Sequence, residues 1–233
     1  MKIGIAIPFH LQGIKINKAY ALTFKHYSAL DHLVHYCGSE GELSLTFAEP
    51  FGIYKEVPQG PLCVSSAGDD VLREKFNDSL KTLPKDLDWY CLAGANDIIN
   101  YEFFDQLKKV DSSGIKMSGV AMDQKLFCVD LMNSGSITSW KLNYQIQLEL
   151  LPGINCFTRD AMQATNWRPY QRKGCETGAE LLIKELGSIV PLPGSVLMIK
   201  GRHDLNTMQK IRLRHRQMRL SPNDISYIRK KLA

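Results

Sequence analysis

The chain has 233 residues, 44% of them hydrophobic, and a formal net charge of +5. That length and apolar content support one substantial core, in a single large domain or a domain with a small appendage. No apolar run is long enough to cross a bilayer, and the six cysteines (Cys37, Cys63, Cys91, Cys128, Cys156, Cys175) lack any Cys-x-x-Cys spacing, which argues against a zinc site or a disulfide framework.

The short apolar opening from Met1 to Pro8 has no small-residue cleavage site after it, so it reads as a first strand and the expected location is the cytoplasm. Ile3-Gly4-Ile5-Ala6-Ile7-Pro8 should form a buried strand that delivers Phe9 to Gly13 at its C-terminal edge. A loose stripe of Ala21, Phe24, Tyr27, Ser28 and Ala29 predicts a helix within Asn17 to His32. Leu33 to Cys37 then returns to strand character before the turn residues Gly38 to Glu42. Strand, helix and strand in this order open a βαβ unit. Leu43 to Phe47 reads as a further short strand. Gly68-Asp69-Asp70 precedes a helix with Leu72, Phe76, Leu80 and Leu83 on one stripe, Asp69 or Asp70 as N-cap, and Pro84 as its end. Lys75 and Asn77 fall beside that stripe, where their side chains need not be buried.

Trp89-Tyr90-Cys91-Leu92 reads as a further strand that runs into Ala93-Gly94-Ala95-Asn96-Asp97, a small turn that presents a carboxylate. Ligands of α/β sheets bind at the C-terminal edge of the strands, and small residues there admit a bulky group close to the backbone. An amide beside a carboxylate suits a hard divalent ion carrying phosphates. A plain strand-to-helix turn, with Asn or Asp as helix cap, is the competing reading. Phe103, Phe104, Leu107 and Val110 predict an amphipathic helix. Ile115 to Met122 and Lys125 to Met132 read as a hairpin about Asp123-Gln124 on the edge of a mixed sheet.

Pro152 to Phe157 is strand-like, and Thr158-Arg159-Asp160 turns into a helix. The loop from Trp167 to Gly174 mixes aromatic with basic groups. Thr177 to Glu180 has capping-box spacing and opens a helix bearing Leu181, Leu182 and Leu186; Val196 to Ile199 is a last strand. Ser221-Pro222-Asn223-Asp224 starts a terminal helix with Ile225, Ile228 and Leu232 inward. Between Lys200 and Lys231 ten Lys and Arg residues face only Asp204 and Asp224. Such a segment attracts a polyanion, whether nucleic acid, anionic lipid or nucleotide phosphates, and equally suits a solvated helical face.

Taken in order, these motifs resemble the nucleotide-sugar-dependent glycosyltransferases of the GT-A fold, and among them the small family-2-like enzymes of bacteria and phages. Ile5-Ala6-Ile7-Pro8 resembles that family's first strand, and Lys75-Phe76-Asn77 its Lys-aromatic-Asn helix. Gly94 to Ile98 stands where its Asp-x-Asp element belongs, and Gly153 to Arg159 resembles its later donor-closing strand. Cys175 to Glu180 stands at its acidic catalytic element, and His203 with Asn206 at a C-terminal metal and phosphate contact. The likeness extends to about Asn206.

The resemblance implies an α/β, Rossmann-type three-layer sandwich with a mixed, mostly parallel sheet. It places a transferase domain over 1–204 and a basic helical extension over 205–233. It implies a nucleotide-sugar donor, a UDP-sugar first, and an inverting reaction. Pro8, His10 and Glu40 would meet base and ribose, with Asn77, Asn96 and Asp97 nearer ribose and phosphates. Lys75, Lys200 and Arg202 would offset charge on the leaving phosphate. Glu176 would be the general base; Glu180 competes, although its spacing from Thr177 suits a cap. Mn²⁺ or Mg²⁺ would sit on Asp97 and His203. Because Asp-x-Asp is reduced to Asn96-Asp97, an ion arriving with the diphosphate fits better than a permanent site.

For the acceptor, the resemblance to phage enzymes implies a hydroxymethylated pyrimidine in DNA. Trp167, Arg168, Tyr170, Arg172 and Lys173, with Arg212, Arg214 and Arg216 beyond, combine cations and rings that can hold a phosphate backbone and stack an unpaired base. The alternatives are a cell-surface glycan or lipid-linked sugar as acceptor, a nucleotidyltransferase, or a non-catalytic nucleic-acid-binding module. A nucleotidyltransferase calls for a Gly-rich phosphate loop early in the chain, and Pro8 to Gly13 holds one glycine.

Overall fold

The computed structural model describes residues 1–11, 14–40, 42–58, 68–113, 117–130, 137–141, 154–171 and 185–200, together with Pro222, Asn223, Ser226 and Lys230. The last four are all helical and exposed, in the segment where a terminal helix is expected.

The opening βαβ unit forms as expected. Strand β1 (Ile3–Phe9), helix α1 (Ile14–Ser28) and strand β2 (Leu33–Ser39) bring two strands side by side in parallel, with Phe9 opposite Gly38. Helix α2 (Glu42–Ala48) leads through a 3₁₀ turn to strand β3 (Ile53–Val57), which adds to β2 in parallel. The short strand expected over Leu43 to Phe47 is therefore a helix. Ser44 and Ala48 are buried and Phe47 partly so, at helical spacing, whereas Leu43 and Leu45 face solvent.

Helix α3 (Gly68–Lys81) precedes β4 (Trp89–Ala93), which pairs with β1 in parallel. Because α3 already begins at Gly68, Asp69 and Asp70 lie inside its first turn and neither is the N-cap. After β4 come the three-residue strand β5 (Asp97–Ile99) and helix α4 (Tyr101–Ser112), whose Phe103, Phe104 and Leu107 are buried as the periodicity predicts. Four more elements complete the sheet: β6 (Gly119–Asp130), β7 (Ile137–Lys141), β8 (Ile154–Thr158) and β9 (Ile189–Lys200), with helix α5 (Arg159–Ala164) following β8. Thr158 caps α5 by accepting the Ala161 N–H at its hydroxyl.

The nine strands lie in the order β3-β2-β1-β4-β8-β6-β9-β5, with β7 paired to β6. Six run one way, and β5, β7 and β8 run the other. The hairpin expected about Asp123-Gln124 is absent. One strand, β6, passes straight through that dipeptide and pairs in parallel with β9, Asp123 opposite Pro193 and Gln124 opposite Gly194. Gln124 stands where a tight hairpin after Asp favours glycine, and the long parallel ladder outweighs a local reversal. Strand β9 is likewise longer than the expected Val196 to Ile199. Its prolines 191 and 193 fit because, among the described strands, β5 flanks only Val196 to Met198 and leaves that stretch with one neighbour.

Side-chain alternation builds a core on each face of the sheet. Ile3, Ile5, Ile7 and Phe9 of β1, with Trp89, Cys91 and Ala93 of β4, pack against Phe24 and Tyr27 of α1 and the aromatic pair of α4. On the other face Ala6, Tyr90 and Leu92 meet Leu80, Leu83, Met162 and Tyr170, contributed by α3 and the α5 region. Helices on both faces of a mixed, mostly parallel sheet make the expected three-layer sandwich.

Candidate functional site

The parallel strands β1, β2, β3 and β4 all end at one edge, and a cavity of about 200 Å³ opens there. Its walls come from three places. Pro8, Phe9 and His10 close β1, Leu92 to Asn96 close β4, and Tyr20 of α1 with Leu72, Lys75 and Phe76 of α3 stand over them. The site therefore occupies the position that an α/β sheet reserves for ligands.

The β4 turn is built around Asp97. Its backbone N–H closes the turn onto the Gly94 carbonyl (3.0 Å), and its own carbonyl accepts the Tyr27 hydroxyl (2.9 Å). The carboxylate folds back over Gly94, so closely that a methyl group at that glycine would collide with it. Asp97 is thus 3% exposed and lies behind the turn, while Gly94, Ala95 and Asn96 form the cavity wall. Burial and the neighbouring Asp97 charge push the Tyr20 hydroxyl up to about 12. The N-cap position of α4 is Asn100, whose side chain makes no cap bond, and β5 separates the turn from the helix, so neither Asn96 nor Asp97 is the helix cap.

On the opposite wall Lys75 is 3% exposed, contrary to the expectation from its place beside the apolar stripe of α3. Its flank of the helix faces the ends of β1 and β2, and the ammonium is held by backbone and side-chain acceptors. It donates to the Phe9 carbonyl (2.7 Å), the Ser39 hydroxyl (2.7 Å) and His10 Nε2 (2.9 Å). His10 Nδ1 lies 2.5 Å from the same Ser39 hydroxyl. Burial lowers the Lys75 pKa to about 7. Burial and then the Lys75 charge lower that of His10 to about 4.

Asn77 is the second departure. It is fully buried and does not reach the cavity; its amide pairs with the Tyr170 backbone in both directions, Nδ2 to the carbonyl and the N–H to Oδ1, each 3.0 Å. Tyr170 is also buried, its ring between Phe76 and Phe157, which leaves no face for a stacked base. Arg168 pairs with Glu74, and Trp167 packs edge-on against Tyr90 with the Lys85 ammonium 5.4 Å from its ring centre. The described part of the aromatic and basic loop, Trp167 to Gln171, is in this way fastened to α3 and β4. Glu40 is exposed just beyond β2, outside the cavity lining.

The structure thus gathers Pro8, His10, Lys75 and Asn96 at one cavity, with Asp97 behind it. Glu176, Glu180, Arg202, His203, Arg172, Arg212, Arg214 and Arg216 lie outside the described residues. Ser39 and Tyr20 are functional candidates that the sequence reading missed. The signal for Ser39 was its place one residue after the glycine opposite Phe9. For a metal, the described residues contain no group of three His, Cys, Asp or Glu side chains. Asp97 alone suits an ion that brings most of its oxygen ligands with a diphosphate.

His10 and His35, the latter buried against Thr82, both have pKa values lowered to about 4 from 6.5. The folded state holds fewer protons on these two rings than the unfolded chain between those values, so their contribution to stability should be full above pH 6.5 and fall as pH drops towards 4. Denaturant unfolding at pH 7 and 4.5 checks this. The slope should lessen in a His35→Gln variant, and an unchanged slope would contradict a neutral buried His35.

No family model matches the chain, and no curated protein matches it in sequence. Solved structures do share its fold. CMP:2-keto-3-deoxy-manno-octonic acid synthetase complexed with CTP superimposes with a TM-score of 0.50 at 12% identity, over 92% of this chain and 97% of that one. Glucosyl-3-phosphoglycerate synthase from Mycobacterium tuberculosis, in complex with Mg²⁺ and UDP, gives 0.52 at 12% identity, over 90% of this chain and 74% of that one. The fold is GT-A-like. The same M. tuberculosis enzyme with Mn²⁺, UDP and phosphoglyceric acid gives 0.50 at 12% identity, over 100% and 78% of the two chains. At such identity the likeness is one of architecture, shared between nucleotidyl and glycosyl transferases. Among the described residues no helix is long and apolar enough to cross a membrane.

Proposed function

We propose that the chain is a glycosyltransferase that moves a sugar from a nucleoside-diphosphate donor to an acceptor hydroxyl. The observation that carries this reading is the cavity at the C-terminal edge of β1 and β4, walled by a Gly-Ala-Asn turn with a carboxylate behind it. The base and ribose lie against Pro8, His10 and Tyr20, and the diphosphate lies towards Asn96 and Asp97. UDP is the first donor nucleotide to test, because the glycosyl transferase with this fold was solved with UDP.

The reaction breaks the bond between the anomeric carbon and the diphosphate oxygen and forms one to the acceptor oxygen. Glu176 takes the acceptor proton on the face opposite the departing diphosphate, and Glu180 is the alternative base. A divalent cation carried in with the diphosphate, Mn²⁺ or Mg²⁺, would supply positive charge to the leaving phosphate, with Asp97 and His203 as its protein ligands. Arg202 adds a fixed positive charge there. Lys75 is not given that role, since its N–H groups already have acceptors. Calorimetric titration with UDP, CDP, GDP and ADP in the presence of Mn²⁺ tests the site: one should bind, and failure of all four would end the proposal.

For the acceptor we favour DNA, on the strength of the basic segment from Lys200 to Lys231. Reversing the charge of Arg212, Arg214 and Arg216 should raise the apparent acceptor constant and flatten its salt dependence. No change in either would point to a glycan or a lipid-linked sugar instead. Nucleotidyl transfer is the second reading, favoured by the extent to which the CTP-bound synthetase is matched, 97% of its length. It is told apart by product, pyrophosphate in place of a nucleoside diphosphate.

A further inference from the structure

The group formed by Lys75, Ser39 and His10 sits on the cavity wall, and its hydrogen bonds fix more than position. An ammonium has three protons and no acceptor, and those of Lys75 go to the Phe9 carbonyl, the Ser39 hydroxyl and His10 Nε2. A ring nitrogen that accepts from Lys75 carries no proton, so in a neutral imidazole the proton is on Nδ1, aimed at the Ser39 hydroxyl 2.5 Å away. Both nitrogens are then occupied inside the fold. What His10 has left for a ligand is the flat face and carbon edge of an uncharged ring.

The geometry points to Lys75 as a positioning residue that locks His10 as the neutral Nδ1–H tautomer, so that the imidazole forms an aromatic wall for a nucleobase and makes no hydrogen bond to the nucleotide. The wall continues in the aromatic side chains Tyr20 and Phe76, which line the same cavity. Sequence-tolerant contact of this kind draws on the π-face that every base has. The low pKa of His10, set by burial and by the Lys75 charge, accords with a ring that stays neutral. The base-wall part of this assignment rests on the reading of the cavity as a nucleotide site; the tautomer does not.

Two experiments separate those parts. Nitrogen-15 NMR of the ligand-free protein, with the His10 resonances assigned by a His10→Gln variant, should show a protonated Nδ1 and a bare Nε2 at pH 6, where Lys75 is an ammonium and His10 is neutral, unchanged at pH 5.5. An imidazolium or an Nε2–H tautomer would overturn the assignment whether or not any nucleotide binds. In Lys75→Met the tautomer preference should disappear, and the loss should fall on the KM for the nucleotide sugar, about tenfold, far more than on kcat. A drop of about 10²-fold in kcat with little change in KM would instead make Lys75 the leaving-group cation. His10→Phe should keep UDP affinity within about threefold and His10→Ala should lose about tenfold; equal losses would overturn the wall. If the wild-type protein binds no nucleoside diphosphate, the transferase reading and the wall fall together, and the NMR result alone decides the tautomer.

Discussion

Replacing Asn77 by Ala should destabilise the protein by about 3 kcal/mol and leave nucleotide affinity of the folded fraction nearly unchanged. The amide gives one hydrogen bond to the Tyr170 carbonyl and receives one from the Tyr170 N–H, all within the buried layer between α3 and the loop after α5. Alanine strands both backbone groups away from water, at roughly 1–3 kcal/mol each. The damage should spread along the loop, since the Tyr170 ring braces Phe76 and Phe157 and the Gln171 carbonyl accepts from Arg73. Denaturant unfolding and a UDP titration on the same sample check both halves. A stable variant with weakened nucleotide binding would show that Asn77 touches the ligand.

The second large effect concerns Asp97. Asp97→Asn should lower metal-stimulated turnover of the nucleotide sugar on the order of 10²-fold, because a neutral amide would hold the cation less well and the leaving phosphate would lose part of the positive charge that the cation supplies. Stability should hold. The main-chain bonds that place the residue, to Gly94, Tyr27 and the Met198 register of β9, do not involve the carboxylate, and an amide has nearly its shape. Gly94→Ala should mimic the loss of activity by displacing the same carboxylate. Full activity in Asp97→Asn, with an unchanged response to chelator, would reduce the turn to a structural element.

Much of this molecule can be read in its primary structure, for reasons that differ by region. The first βαβ unit and the β4 turn are legible because continuous apolar runs end in small residues, a pattern that short-range sterics enforce. Parallel pairing of β6 with β9 is not, since Asp123 finds its partner seventy residues on at Pro193, and nothing local to Asp123-Gln124 announces it. The helix over Leu43 to Phe47 was hidden because its two leucines face solvent, so their spacing reports no core. Burial of Lys75 was equally hidden. Its helical position marks it as polar, and only the ends of β1 and β2 show that a lysine there can be satisfied inside the fold. The aromatic and basic residues of the loop after α5 invited a nucleic-acid reading, yet Trp167, Arg168 and Tyr170 are engaged by Tyr90, Glu74 and Asn77. Composition alone does not distinguish a staple from a binding surface.

The most direct test is to incubate the full chain with UDP-sugars and Mn²⁺ and follow phosphorus-31 resonances for products. Transfer or slow donor hydrolysis at the β1 and β4 edge predicts that UDP accumulates, that chelator suppresses it, and that Asp97→Asn abolishes most of it. Pyrophosphate formed from a nucleoside triphosphate and a sugar acid or phosphate, with no nucleoside diphosphate released from any nucleotide sugar, would contradict it.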